Sequence, residues 1–298
     1  MNPVKAGIGR YLHEKGIIGE RIKVYHPRTR DRAEIAVHIC EDTEVIFLNR
    51  DVQQLDEHYS GKEIENDGLT SFSTVQGEKL TNATLQDSER RFKDFRGMLV
   101  NKSVCDFGTG HGLFMRNARG TAHEICGVEL NEIHVANLRQ DGFRIEPSIA
   151  NYPEGKFDVV TLFHVLEHLA EPVEMLSQIR SRMSAGGRLI VEVPHARDFL
   201  HKTLASEAFK NFTFWSEHLV LHTTESLRRT LALAGFTGLT IKGFQRYGLE
   251  NHLHWLVKKK PGGHEAWAHF NGPGLNEAYA AMLQSIGQTD TLLAFATA

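Results

Sequence analysis

Three cysteines in 298 residues are too few and too unevenly spaced for a disulfide framework. They are Cys40, Cys105 and Cys126, an odd number, and the last two sit inside apolar strand-like runs, where core thiols are expected. A reducing, cytoplasmic compartment fits this usage. Long apolar runs are missing as well. No stretch reaches the ~18 apolar residues of a membrane span, and the opening MNPVKAGIGRYLHEKG lacks the apolar segment of a secretion signal. Nor does one sign of charge dominate. The 34 Lys and Arg against 37 Asp and Glu leave a net charge of −3, which gives no broad electrostatic footprint for nucleic acid. Neither nucleic acid nor membrane is therefore expected as a partner. Internal repeats and low-complexity segments are also absent.

The chain does have enough length and apolar content (41%) for one large domain or two modest ones. The first eighty residues form a zone of their own. In it, IKVYHPRTR and IAVHICEDTEVIFL read as strands. If the first strand runs through Arg28, Arg30 and Arg32, those side chains share a face. They would then either grip an anion or protect an edge. A helix, TLQDSERRFKDFRGML, follows, and from Lys102 strands and helices alternate. SVCDF, EICGVEL, FRIE, FDVVTLF and GRLIVEVP read as strands. GLFMRNAR, NEIHVANLRQDG and VLEHLAEPVEMLSQIRSRM read as helices, the last broken or restarted at Pro172. Beyond a helical and looped insert comes TTESLRRTLALAGF, a helix capped at Thr224. LTIKGFQ and HLHWLVKK then read as two closing strands. This order predicts an α/β fold: a Rossmann-like, doubly wound, seven-stranded sheet with an antiparallel last strand. The divisions expected are residues 1–80, an N-terminal α+β extension acting as acceptor or lid region; 81–262, the main domain; and 263–298, a C-terminal helix and strand.

VCDFGTGHGLFM carries the chemistry. A strand ends in Asp106, and glycines follow at Gly108, Gly110 and Gly112, opening a helix. Glycine permits a tight turn and close approach of a ligand to the backbone. Glu129 closes the next strand, where a carboxylate can accept from a ribose diol. A dinucleotide site of the G-x-G-x-x-G type would need a small residue at position 113, which is Leu113. Asp106 would repel a pyrophosphate and suits a cationic group. The predicted ligand therefore carries an amine or sulfonium beside a ribose.

On these residues the chain resembles class I S-adenosylmethionine-dependent methyltransferases. VCDFGTGHG is similar to their first motif and GVEL to their ribose-binding motif. FDVVTLFHVLEHLAEP and GGRLIVEVP resemble their fourth and fifth strands. LVLHTTESLRRTLALAGF is similar to the subgroup of ubiquinone-type O-methyltransferases, and the two ends resemble methyltransferases of polysaccharide biosynthesis. The resemblance covers about residues 85–260. It implies S-adenosylmethionine as cofactor. Asp106, Gly108, Thr109, Gly110 and Gly112 would hold its methionine end, Glu129 its ribose and Leu130 its adenine. Ser148 or Ile149 would stand near the adenine amine, since the usual Asp is absent from IEPSIANYP. Phe163 and His164 would flank the methyl group. Tyr59 and Arg90 would close over the carboxylate.

HVLEH also matches a zinc-peptidase signature, H-x-x-E-H. His164, however, directly follows a strand instead of lying within a helix, and no third ligand is evident; no metal is expected. His164 and His218 are the candidate general bases, while His168 is expected in the core. Trp215, Glu217, His222 and Arg246 are candidate acceptor contacts, and Tyr247, Asn251 and His252 lie near the last of these. The function expected is O-methylation of a small molecule such as a carbohydrate or nucleotide-linked sugar. N- or C-methylation, a dinucleotide-dependent oxidoreductase and a catalytically silent cofactor-binding module are the alternatives. The sequence does not set the oligomeric state; a homodimer is one option.

Overall fold

The computed structural model describes residues 7–48, 50, 72–75 and 78–298. Helix α1 (Gly7–Glu14) precedes three antiparallel strands, β1 (Ile22–His26), β2 (Val37–Cys40) and β3 (Ile46–Leu48). A hairpin of β4 (Phe72–Val75) and β5 (Glu78–Thr81) leads into α2 (Asn82–Leu99). The alternating region runs β6 (Ser103–Phe107), α3 (Leu113–Ala118), β7 (Glu124–Val128), α4 (Glu132–Gln140), β8 (Arg144–Glu146), β9 (Phe157–Phe163), α5 (Pro172–Arg182) and β10 (Met183–Pro194). The insert after it carries α6 (Phe199–Lys202), α7 (Glu207–Thr213) and β11 (Val220–Leu221). Strand β11 pairs with β3 and ties the insert to the N-terminal sheet. The chain closes with α8 (Thr224–Leu233), β12 (Thr237–Phe244), α9 (Leu249–Lys258), α10 (Gly263–Ala266), α11 (Pro273–Ser285) and β13 (Thr291–Thr297).

The main sheet has the order β12-β13-β10-β9-β6-β7-β8, with β13 antiparallel to both neighbours and β6 to β10 parallel. Successive residues of a strand face opposite sides. Cys105, Val160 and Val191 thus enter one core, while Val104, Val159 and Ile190 enter another. Both faces are covered, so the central strands are apolar throughout. The strand order reverses at β6, between β7 and β9. Open α/β sheets bind ligands outside the carboxyl ends of the strands at such a point. All three cysteines are buried and free. Among the described residues, no helix is long and apolar enough to cross a membrane.

Four local readings change. HLHWLVKK is not a strand but part of α9, and TLLAFATA supplies the antiparallel strand as β13. Helix α9 buries polar groups with partners waiting for them: Asn276 donates to Glu250, Tyr279 bonds His252, and the Lys260 carbonyl lies 2.9 Å from His254 Nδ1. Leu253, Leu256 and Val257 are left exposed. β1 stops at His26, so Arg28, Arg30 and Arg32 share no strand face; Arg28 bonds Asn211 and Arg30 lies over the Trp215 ring. The cap of α8 is Thr223, not Thr224, in a reciprocal pair with Ser226. Lastly, only a single 3₁₀ turn, Leu166–His168, forms before Pro172 opens α5.

Candidate functional site

The glycine loop links β6 to α3, and each glycine has a separate reason. All three have positive φ, where side chains are strained. A Cβ on Gly108 would lie 2.5 Å from Val165, and one on Gly112 2.2 Å from Leu138. A Cβ on Gly110 would meet nothing within 4 Å. Gly108 and Gly112 thus serve packing, whereas Gly110 borders open space. The Gly110 N–H donates to Glu129 Oε2 at 2.7 Å, and the Leu130 and Asn131 amides donate to Oε1, each at 2.8 Å. The Glu129 carboxylate is therefore fixed at the loop's edge. It keeps capacity for further donors, since an ionised carboxylate has about four acceptor sites. Leu130 beside it leaves 48% of its surface exposed. Ser148 caps the short turn after β8 through Ala150 N–H.

Asp106 lies deeper than its position in the sequence suggests. It is buried, and Thr161 Oγ1 donates to it at 2.7 Å. Burial pushes its carboxyl up to about 7, against the Thr161 bond and the nearby Arg91 charge. A half-neutral acid discriminates less sharply against a pyrophosphate than an exposed aspartate would. The fixed Glu129 and the open Gly110 therefore carry more of the ligand argument. Together with the exposed apolar Leu130, they fit an amino-acid nucleoside. Tyr59 lies outside the described residues.

Beyond the loop lies a network of buried charge that includes two residues the sequence reading overlooked. Glu192 of β10 is fully buried and accepts from Arg90 at 2.8 Å and Arg91 at 2.6 Å. Burial would raise its pKa, but His164 and the two guanidiniums hold it well below the usual carboxylate range. Arg90 is thus engaged with Glu192 and Asp87, and Arg91 also lies over the Phe163 ring at 4.8 Å. The signals were visible in hindsight: an acid inside an apolar strand, and two adjacent arginines one helix away.

His164 takes a left-handed φ of 56° at the end of β9. Its Nδ1 lies 3.1 Å from Glu167 and its Nε2 3.3 Å from Glu192. Burial would lower its pKa; the bonds to Glu167 and Glu192 outweigh that and raise it. Arg246 comes within 3.2 Å of the same Nε2 and pairs with Asp87. His164 is thereby held as a donor more than as a base. His218 differs. Burial and neighbouring His168 push it down to about 3, so it is neutral near pH 7. Glu167, His168 and His218 offer ligand atoms within 4.8 Å of one another, so a metal would find one histidine of HVLEH here, not both.

A cavity of about 250 Å³ adjoins this network. His164, His218 and Arg246 line it, as do Tyr247, Asn251 and His252. Trp215, Glu217 and His222 are not part of its wall. Trp215 packs on Arg30 and His218, Glu217 is buried, and His222 bonds Ser226 beneath the α8 cap. Aromatic rings line it too: Phe209, Phe212 and Trp255, with ring centroids 5.1 Å apart from Trp255 to each phenylalanine. Asp198 and Asp290 also line it.

Residues 82–241, more than half of the chain, match the family described as "Methyltransferase domain". The chain is 28% identical over 107 residues to a ubiquinone biosynthesis O-methyltransferase of Thiobacillus denitrificans, covering 33% of this chain and 46% of that protein. It is 30% identical over 105 residues to a tRNA U34 carboxymethyltransferase of Psychromonas ingrahamii, covering 32% of each. It thus spans less than half the length of these curated relatives. A solved SAM-dependent methyltransferase of Archaeoglobus fulgidus superposes with a TM-score of 0.52 at 19% identity, covering 72% of this chain and 94% of that one, a likeness of fold.

Proposed function

The chain belongs to the methyltransferase-domain family, and from that premise we propose that it transfers a methyl group from S-adenosylmethionine to an oxygen of a small molecule, such as a carbohydrate or nucleotide-linked sugar. The observation that carries the reading is Glu129, tied by three backbone amides to the edge of an open glycine loop. When bound, the donor supplies a methyl group already activated by its sulfonium. Gly110 leaves room for it, Glu129 accepts from its ribose hydroxyls, and Leu130 covers its adenine. The chain's own work is then positioning, where well-oriented reactants reach effective molarities of about 10⁵–10⁸ M. His164, held at both ring nitrogens by Glu167 and Glu192, lends its charge to the cavity wall, and His218, neutral at working pH, accepts from the reacting hydroxyl. The Glu167–His164–Glu192 bridge and the Asp87–Arg246 pair fix His164 and Arg246 where they line the cavity.

Calorimetry with S-adenosylhomocysteine tests this reading. Wild type should bind it, and Glu129→Ala should weaken binding by about 10- to 100-fold, as loss of hydrogen bonds to a charged group does. Binding of NADH in place of S-adenosylhomocysteine would instead favour the oxidoreductase. Mass spectrometry of metabolites that gain a methyl mass would identify the acceptor.

A further inference from the structure

Asp198 stands out in the acceptor cavity. It caps the short helix α6, and its Oδ1 accepts from Leu200 N–H at 2.7 Å. It is only 7% exposed, and no described residue donates to Oδ2. Its charged neighbour is another acid, Asp290, which already accepts from Gln245 and from the Arg246 and Tyr247 amides. The cavity's own cations serve other acids: Arg246 pairs with Asp87 and its charge also acts on Asp290, and His164 is held by Glu167 and Glu192. Burial and the neighbouring Asp290 push the Asp198 carboxyl up to about 8, so it is held largely neutral near pH 7 until a cation beside Oδ2 favours its charged form. Three aromatic rings, Phe209, Phe212 and Trp255, form the wall of the same cavity.

We propose that this cavity takes an acceptor carrying a protonated amine, seated on Asp198 within the aromatic wall. This deepens the methyl-transfer reading and rests on it. A sugar hydroxyl alone would satisfy Oδ2, but it would draw nothing extra from the aromatic faces, which attract cations. It would also leave Asp198, beside Asp290, with no cation of its own. An ammonium answers both features at once. Its charge sits at the aromatic end, and the reacting hydroxyl reaches toward His164 and His218 at the other. The acceptor class is thus an amine-bearing hydroxyl compound, amino sugars included.

Calorimetry on the full chain uses two isosteric probes, 2-phenylethylammonium and neutral 2-phenylethanol. The cation should bind at least about 10-fold more tightly. In Asp198→Asn, which keeps an oxygen to cap Leu200 and removes the cost of the buried acid, that preference should vanish at a melting temperature no lower than that of wild type. Trp255→Leu should shrink the preference without reversing it. Equal affinity of the two probes in wild type, or a preference that survives Asp198→Asn, would overturn the proposal. Failure of S-adenosylhomocysteine to bind, with the probe preference intact, would sink the methyl-donor reading alone.

Discussion

The loop proposed for the donor is built from one strand–helix–strand unit, Asp106 to Leu130, in which backbone amides fix a single carboxylate. The cavity proposed for the acceptor instead draws His164, Asp198, Trp255 and Asp290 from segments up to 126 residues apart, and its polar wall is made of side chains. Between the two lies the buried charge network around Glu192. Local construction makes the loop readable and general. Remote construction lets the cavity vary without disturbing the loop, because sites on connecting segments tolerate change better than the scaffold beneath them.

The strongest challenge to this division is Glu192→Ala. It removes a buried counter-charge shared by Arg90, Arg91 and His164, so a loss of about 3–5 kcal/mol in urea unfolding is expected, and both sites should fail together. If only one site failed, the network would not be their common base. Next comes a pair within the loop. Gly112→Ala sets a Cβ against Leu138 in a left-handed conformation and should cost about 2–4 kcal/mol. Gly110→Ala meets open space and should cost about 1–2 kcal/mol from φ alone. The second substitution should still weaken S-adenosylhomocysteine binding while leaving phenylethylammonium binding intact.

A pH series separates the buried acid from the rest. Asp106 is raised in the folded chain to about 7 from an ordinary 3.8. The folded state therefore keeps a proton that the unfolded state has lost. Stability from this group falls as pH rises from about 4 through 7, with a slope of at most ~1.4 kcal/mol per pH unit. Asp106→Asn should flatten that slope relative to wild type; an unchanged slope would mean the carboxyl is ionised throughout. His164, also raised, works in the same direction above the ordinary histidine range and should be unaffected by the substitution. The smallest effect is expected for Leu130→Ala: stability within about 0.5 kcal/mol, and donor affinity lower by about 5-fold, as the loss of a partly covered apolar side chain allows.

The parallel strands were legible because apolar runs buried on both faces have few other uses. SVCDF and FDVVTLF match β6 and β9 to the residue. HLHWLVKK misled because its polar residues, not its leucines, face inward, toward partners such as Tyr279 that lie beyond any local window. TLLAFATA read as a short terminal run, yet it lies between β10 and β12, so the last residues close the sheet. His164 was legible as a residue at a strand's end. Its pairing with Glu192 was not, since Glu192 comes from the neighbouring strand.

By itself the sequence determined the α/β ladder, the glycine turn and the carboxylate that follows it, since each depends on residues close in the chain and on backbone geometry. Tertiary structure alone decided which acids are charged, where the arginines are spent, and that Asp198 lines one cavity with three aromatic rings. These depend on desolvation and on distances across the sheet, which no spacing along the chain encodes.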